Sequence, residues 1–210
     1  PLVCSRFLYS LDAEGQVKWR YDGNSVIANS AISLDFNGEK IVLVESRTES
    51  CLGSETDRLS VAELTRQAYV TCLDTASGEV LWSCPLPFNN ANNCLYSLIS
   101  GNKIVLATSE SGEKKATYQL SAMRLEDGTQ LWDKGHEHVA EGLGHGEQVH
   151  HPLALRQRSG KTILLAEPYA YDLESGERIS PGSDDESWVL RRPGHSCGTL
   201  TGAGQCVFFR

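Results

Sequence analysis

Short apolar runs separated by glycine turns recur along the whole chain. Ile41-Val42-Leu43, Ile104-Val105-Leu106 and Ile163-Leu164-Leu165 each follow a turn built on Gly38, Gly101 or Gly160. Aliphatic and β-branched runs of this length, bounded by turn residues, read as strands. A weaker copy runs from Gly204 through Gln205, Cys206 and Val207 to Phe208. Helical periodicity is confined to Ser60-Val61-Ala62-Glu63-Leu64, where a Ser followed three residues later by Glu predicts a capping box and one short helix.

A second phrase alternates with the first. Tyr9-Ser10-Leu11-Asp12 leads through Gly15 to Trp19, and Leu73-Asp74 leads through Gly78 to Trp82. Leu125-Glu126-Asp127 leads through Gly128 to Trp132, and Tyr171-Asp172 leads through Gly176 to Ser180, where a Trp is expected. Successive turn glycines lie 63, 50 and 48 residues apart. Two turns per repeat, each flanked by strands, predict four antiparallel strands per unit. That period and strand number predict an all-β fold, a β-propeller of four-stranded antiparallel blades.

About four blades fit in the chain as a single domain. The phrases predict a half-blade over 1–23, whole blades near 31–84, 95–134 and 151–191, and a half-blade over 196–210. An open ring would leave apolar edge strands bare, so the expectation is a segment of a larger ring completed by other blades or chains. The first residue is Pro1 rather than Met, which suggests a processed or shortened product. Tight glycine turns gather on one face of such blades, whereas the longer stretches 47–66, 85–93, 133–151 and 181–187 gather on the other. Irregular loops on one face of a rigid scaffold are where sites usually sit.

The Asp–Gly–Trp phrase resembles the tryptophan-docking repeat of pyrroloquinoline-quinone (PQQ) dehydrogenases and of their cofactor-free relatives, the outer-membrane assembly scaffold lipoproteins. The resemblance implies that Trp19, Trp82 and Trp132 pack between neighbouring blades. It also implies that Asp12, Asp74 and Asp172 shape the turns with Gly15, Gly78, Gly128 and Gly176. These implied roles are structural and name no catalytic residue. In the dehydrogenases PQQ lies on the ring axis against a disulfide between adjacent cysteines, with Ca²⁺ or a lanthanide held by Glu, Asn and Asp. Here no two cysteines are adjacent and no such ligand set is recognisable, so a PQQ site complete within this chain is not expected.

The formal net charge of -8 argues against a nucleic-acid or anionic-membrane surface. No run of about 18 apolar residues marks a transmembrane helix. Seven cysteines without a C-x-x-C pair exclude zinc-ribbon and thioredoxin readings. They suit an oxidising, periplasmic or otherwise extracytoplasmic compartment, with Cys84–Cys94 and Cys197–Cys206 the candidate disulfides.

Five of the six histidines fall between His136 and His151. His145, His150 and His151 with Glu147, joined by His136 and His138, could hold a transition metal if three or more converged. His150 and His151 are adjacent, so on a strand they point to opposite sides. The alternative is a polar loop whose imidazoles bond to backbone. His195 with Cys197, the acidic run Asp184-Asp185-Glu186 and the asparagines Asn89, Asn90, Asn92 and Asn93 are weaker candidates for a thiol pair, Ca²⁺ binding and sugar binding. The expected function is a non-catalytic extracytoplasmic scaffold or binding module. The alternative is part of a quinone- or metal-dependent oxidoreductase with the histidine-rich stretch near its site.

Overall fold

The computed structural model describes residues 1–23, 30–51, 59–88, 94–111, 115–139, 150–179, 200–203 and 206–208. Strands dominate, and each sheet is antiparallel and in chain order. The first sheet holds β1 (Leu2–Cys4), β2 (Leu8–Leu11) and β3 (Val17–Tyr21). The second holds β4 (Ala31–Phe36), β5 (Lys40–Ser46), β6 (Ala68–Asp74) and β7 (Val80–Pro85). The third holds β8 (Leu95–Ser100), β9 (Lys103–Ser111), β10 (Lys115–Arg124) and β11 (Gln130–Val139). The fourth holds β12 (Leu153–Arg156), β13 (Thr162–Ala166), β14 (Tyr169–Asp172) and β15 (Arg178–Ile179), and β16 (Thr201–Ala203) pairs with β17 (Cys206–Phe208).

The apolar runs form the second strand of each complete sheet, and both of their faces are covered. Residues 41–44 on β5 and 104–107 on β9 are fully buried. Alternation along a strand sends neighbouring residues to opposite faces. Ile41 and Leu43 pack with Leu8 and Trp19 of the first sheet. Val42 and Val44 pack with Ile104 and Leu106 of the third. Val105 and Ala107 face Leu164 and Ala166 of the fourth, while Ile163 and Leu165 face Leu200 and Val207 beside the last sheet. The second, third and fourth sheets are thus each sandwiched between a predecessor and a successor. This serial face-to-face packing is a partial β-propeller rather than two stacked sheets.

The structure departs from the sequence reading in two places. The first sheet has three strands, because Leu2–Cys4 pairs with Leu8–Ser10, where the Gly15 turn by itself accounts for two. Residues 135–138, assigned above to a loop, belong to β11, with Tyr118 opposite His136 and Thr117 opposite Glu137. Gly135 is there for clearance, since a Cβ at this position would lie 2.7 Å from the Tyr118 carbonyl oxygen.

The short helix α1 (Val61–Thr65) has Ser60 as its N-cap, and both halves of the capping box with Glu63 form. No helix among the described residues is long and apolar enough to cross a membrane.

Candidate functional site

Each repeat tryptophan closes on the turn of the following sheet. The indole N–H of Trp19 donates to the Thr75 carbonyl at 2.8 Å, that of Trp82 to Leu125 at 3.1 Å, and that of Trp132 to Leu173 at 3.1 Å. The rings lie flat against Gly78, Gly128 and Gly176, where a Cβ would come within 2.6 or 2.7 Å of ring carbon. Those glycines, with Gly15, also have φ between 70° and 81°, which L-residues with side chains disfavour.

Aspartates hold the turns from within. Asp74 Oδ1 accepts from the Ala76 and Ser77 amides and the Ser77 hydroxyl. Asp172 Oδ1 accepts in the same way from Glu174 and Ser175, and Asp12 accepts from the Gln16 amide at 2.7 Å. The Ser77 and Ser175 amides, donating to the charged form, hold the carboxyls of Asp74 and Asp172 below their ordinary value. Trp, Gly and Asp together form a latch from one sheet to the next, not a reacting group.

The histidines do not converge as a metal centre in the described part of the chain. No cluster of three or more His, Cys, Asp or Glu side chains suited to a metal occurs among the described residues. His136 is buried in the seam between the third and fourth sheets. Its Nε2 lies 2.9 Å from the Glu167 carbonyl and its Nδ1 lies 2.7 Å from the Tyr171 hydroxyl. A carbonyl only accepts, so Nε2 carries a proton and donates it to Glu167. Tyr118 stacks on this imidazole at 5.1 Å and Tyr169 meets it edge-on at 4.9 Å. Burial pushes Tyr171 up to about 12 and Tyr118 well above its ordinary range.

His150 contributes its carbonyl, which accepts from Tyr118 at 2.6 Å. The ring of His151 bridges sheets, with Nδ1 2.7 Å from the Pro152 carbonyl and Nε2 3.0 Å from that of Ser97. His138 sits opposite Ala116 on β11. His145 and Glu147 lie outside the described residues, as do His195, Cys197, Asp184–Glu186 and the asparagines from 89 to 93. Cys84 and Cys94 are not joined by a disulfide, Cys84 lying on β7 in the seam between the second and third sheets and Cys94 between the third and fourth. Burial raises Cys84, and lifts Cys72 to about 11, so neither is an activated thiolate.

A cleft of about 510 Å³ opens where the innermost strands meet. Leu34 and Asp35 of β4, Ser97 to Ile99 of β8, the stretch from His151 to Ala154, and Leu200 form its walls. Sequence reading missed it, because it joins the first strands of successive sheets and no local motif marks it. Its polar groups also tie the sheets together. Ser33 and Ser97 hydroxyls are 2.7 Å apart. Asp35 accepts from the Ile99 amide at 2.5 Å and from the Phe36 amide at 2.8 Å. A carboxylate has about four lone-pair sites, so two acceptor positions on Asp35 are left over from these bonds.

Comparison with known proteins bears on this geometry. The family described as outer membrane protein assembly factor BamB matches over residues 7–180. No curated protein matches the chain. Among solved structures, the quinohemoprotein alcohol dehydrogenase from Comamonas testosteroni is similar at 12% identity with a TM-score of 0.49. That alignment covers 85% of this chain and 32% of the dehydrogenase, so the chain spans about a third of that protein's length.

Proposed function

The chain belongs to the family of outer membrane protein assembly factor BamB, and from that membership we propose that it is a non-catalytic propeller segment acting as a scaffold and binding module outside the cytoplasm. Other blades or chains of the same assembly are its expected partners. The observation that carries the reading is the use made of its chemical side chains. The two histidine rings and the repeat aspartates named above are spent on turns and on seams between sheets. Groups so committed hold a scaffold in register, which supports the non-catalytic reading.

The PQQ of the related dehydrogenases is a planar tricarboxylate. A site for it needs cationic or N–H donors aimed at its carboxylates and oxygen ligands for the metal. The described walls of the cleft between the inner strands supply little of that set. Its charged carboxyl is Asp35, no Lys or Arg is among the described lining residues, and the Ile99 amide is already given to Asp35. This lining supports the reading that PQQ is not held within this chain alone.

Elemental analysis and an absorption spectrum of the purified protein test the proposal. We expect substoichiometric metal and no quinone band from a protein that stays folded. Stoichiometric metal together with a quinone or haem absorbance would overturn it in favour of an oxidoreductase portion.

A further inference from the structure

We infer that the cleft between the inner strands is a binding site for an apolar organic cation, with Asp35 as the counter-charge. The inference rests on the binding-module reading and adds the class of ligand.

Size, lining and charge each contribute. At about 510 Å³ the cleft falls within the range of small-molecule sites, roughly 300–1,000 Å³. Its lining includes the aliphatic residues Leu34, Leu98, Ile99 and Leu153 from three different sheets. Such a surface favours a ligand with an apolar body. The polar groups then decide the head. A bound anion would need donors, and two at hand are engaged: the His151 ring lies between the carbonyl oxygens of Pro152 and Ser97, and the Ile99 N–H points to Asp35. Asp35, the carboxylate among the described lining residues, keeps acceptor capacity beyond its two amide bonds. An ammonium group donates without accepting, so it complements that site, whereas a carboxylate ligand would meet like charge. The chain's net charge of -8 acts in the same direction at longer range.

A matched series of probes tests this on the whole chain: 4-phenylbutylammonium, the neutral 4-phenylbutanol, 4-phenylbutyrate and PQQ. Affinity is read by titration calorimetry and location by amide chemical shifts. The ammonium probe should bind about tenfold more tightly than the alcohol, the scale of one charged hydrogen bond, and should shift the amides of residues 97–99. The butyrate and PQQ should bind more weakly than the alcohol or not at all.

Asp35→Asn keeps an acceptor for the Ile99 amide and should bring the ammonium probe down to the affinity of the alcohol. If that variant does not fold, the salt dependence of the wild-type series replaces it, with only the ammonium probe weakening as salt rises. Equal or tighter binding of an anionic probe overturns the inference, as do shifts confined to residues away from the cleft. A metal or quinone found elsewhere on the chain would instead refute the non-catalytic reading and leave the charge preference of this cleft standing.

Discussion

Replacing Tyr171 by phenylalanine leaves Nδ1 of His136 without its 2.7 Å hydroxyl partner inside a buried aromatic seam. Leaving a buried polar group without its partner costs about 1–3 kcal/mol. Urea denaturation of Tyr171→Phe should therefore show a lowered midpoint at unchanged slope, and an unmoved midpoint would mean that this hydrogen bond adds nothing to stability. The turn glycines allow a controlled comparison. Gly15 and Gly78 share a left-handed backbone, but an added Cβ meets nothing within 4 Å at Gly15 and meets the Trp19 ring at 2.6 Å at Gly78. Gly15→Ala should cost about 1–2 kcal/mol, from the backbone strain. Gly78→Ala should cost about 1–3 kcal/mol more, because the indole must move. Equal losses would mean that the tryptophan contact is slack. At this scale the turns were legible, since a positive φ and an aspartate cap are local demands. His136 was not. Gly135 and His136 have the composition of a loop, and only the opposing strand gives them an extended conformation.

Among the elements, the outer strands carry the latches and the turns carry the acid sensitivity. Trp132 on β11 is buried and reaches the turn of the fourth sheet. Trp132→Ala should cost about 3–5 kcal/mol and should raise hydrogen exchange at residues 173–176 before it does so in the second sheet. Uniform loss of protection would argue against a latch between neighbours.

Asp74 and Asp172 have carboxyls lowered in the folded state, so their contribution is present above the unfolded value of 3.8 and fades as pH falls through the lower folded value. The double variant Asp74→Asn with Asp172→Asn should flatten the loss of stability below pH 3.8. An acid limb as steep as that of the wild type would assign that loss to other carboxyls. The second strand of each complete sheet was legible as an apolar run bounded by glycine. The reach of β11 to Val139 was not, because strand length is set by the partner strand, here β10.

At the scale of the whole molecule, the described residues form five sheets in series that share four seams, and each of these seams draws residues from two successive sheets. Leu164 is fully buried in the seam between the third and fourth sheets. Leu164→Ala should cost about 2–5 kcal/mol and still unfold in a single transition by fluorescence and by circular dichroism. Two separated transitions would mean that the sheets behave as independent units. The sequence by itself determined the repeat, the turns and the all-β architecture, because alternation, glycine backbone freedom and aspartate capping act over a few residues. Tertiary structure alone decided where His136 and His151 point, that Cys84 and Cys94 stay apart, and that the first strands of successive sheets enclose a cleft with one acidic wall. Those outcomes depend on which sheet packs on which, and residues 60 or more positions apart in the chain, such as Asp35 and Ile99, meet only after the seams have closed.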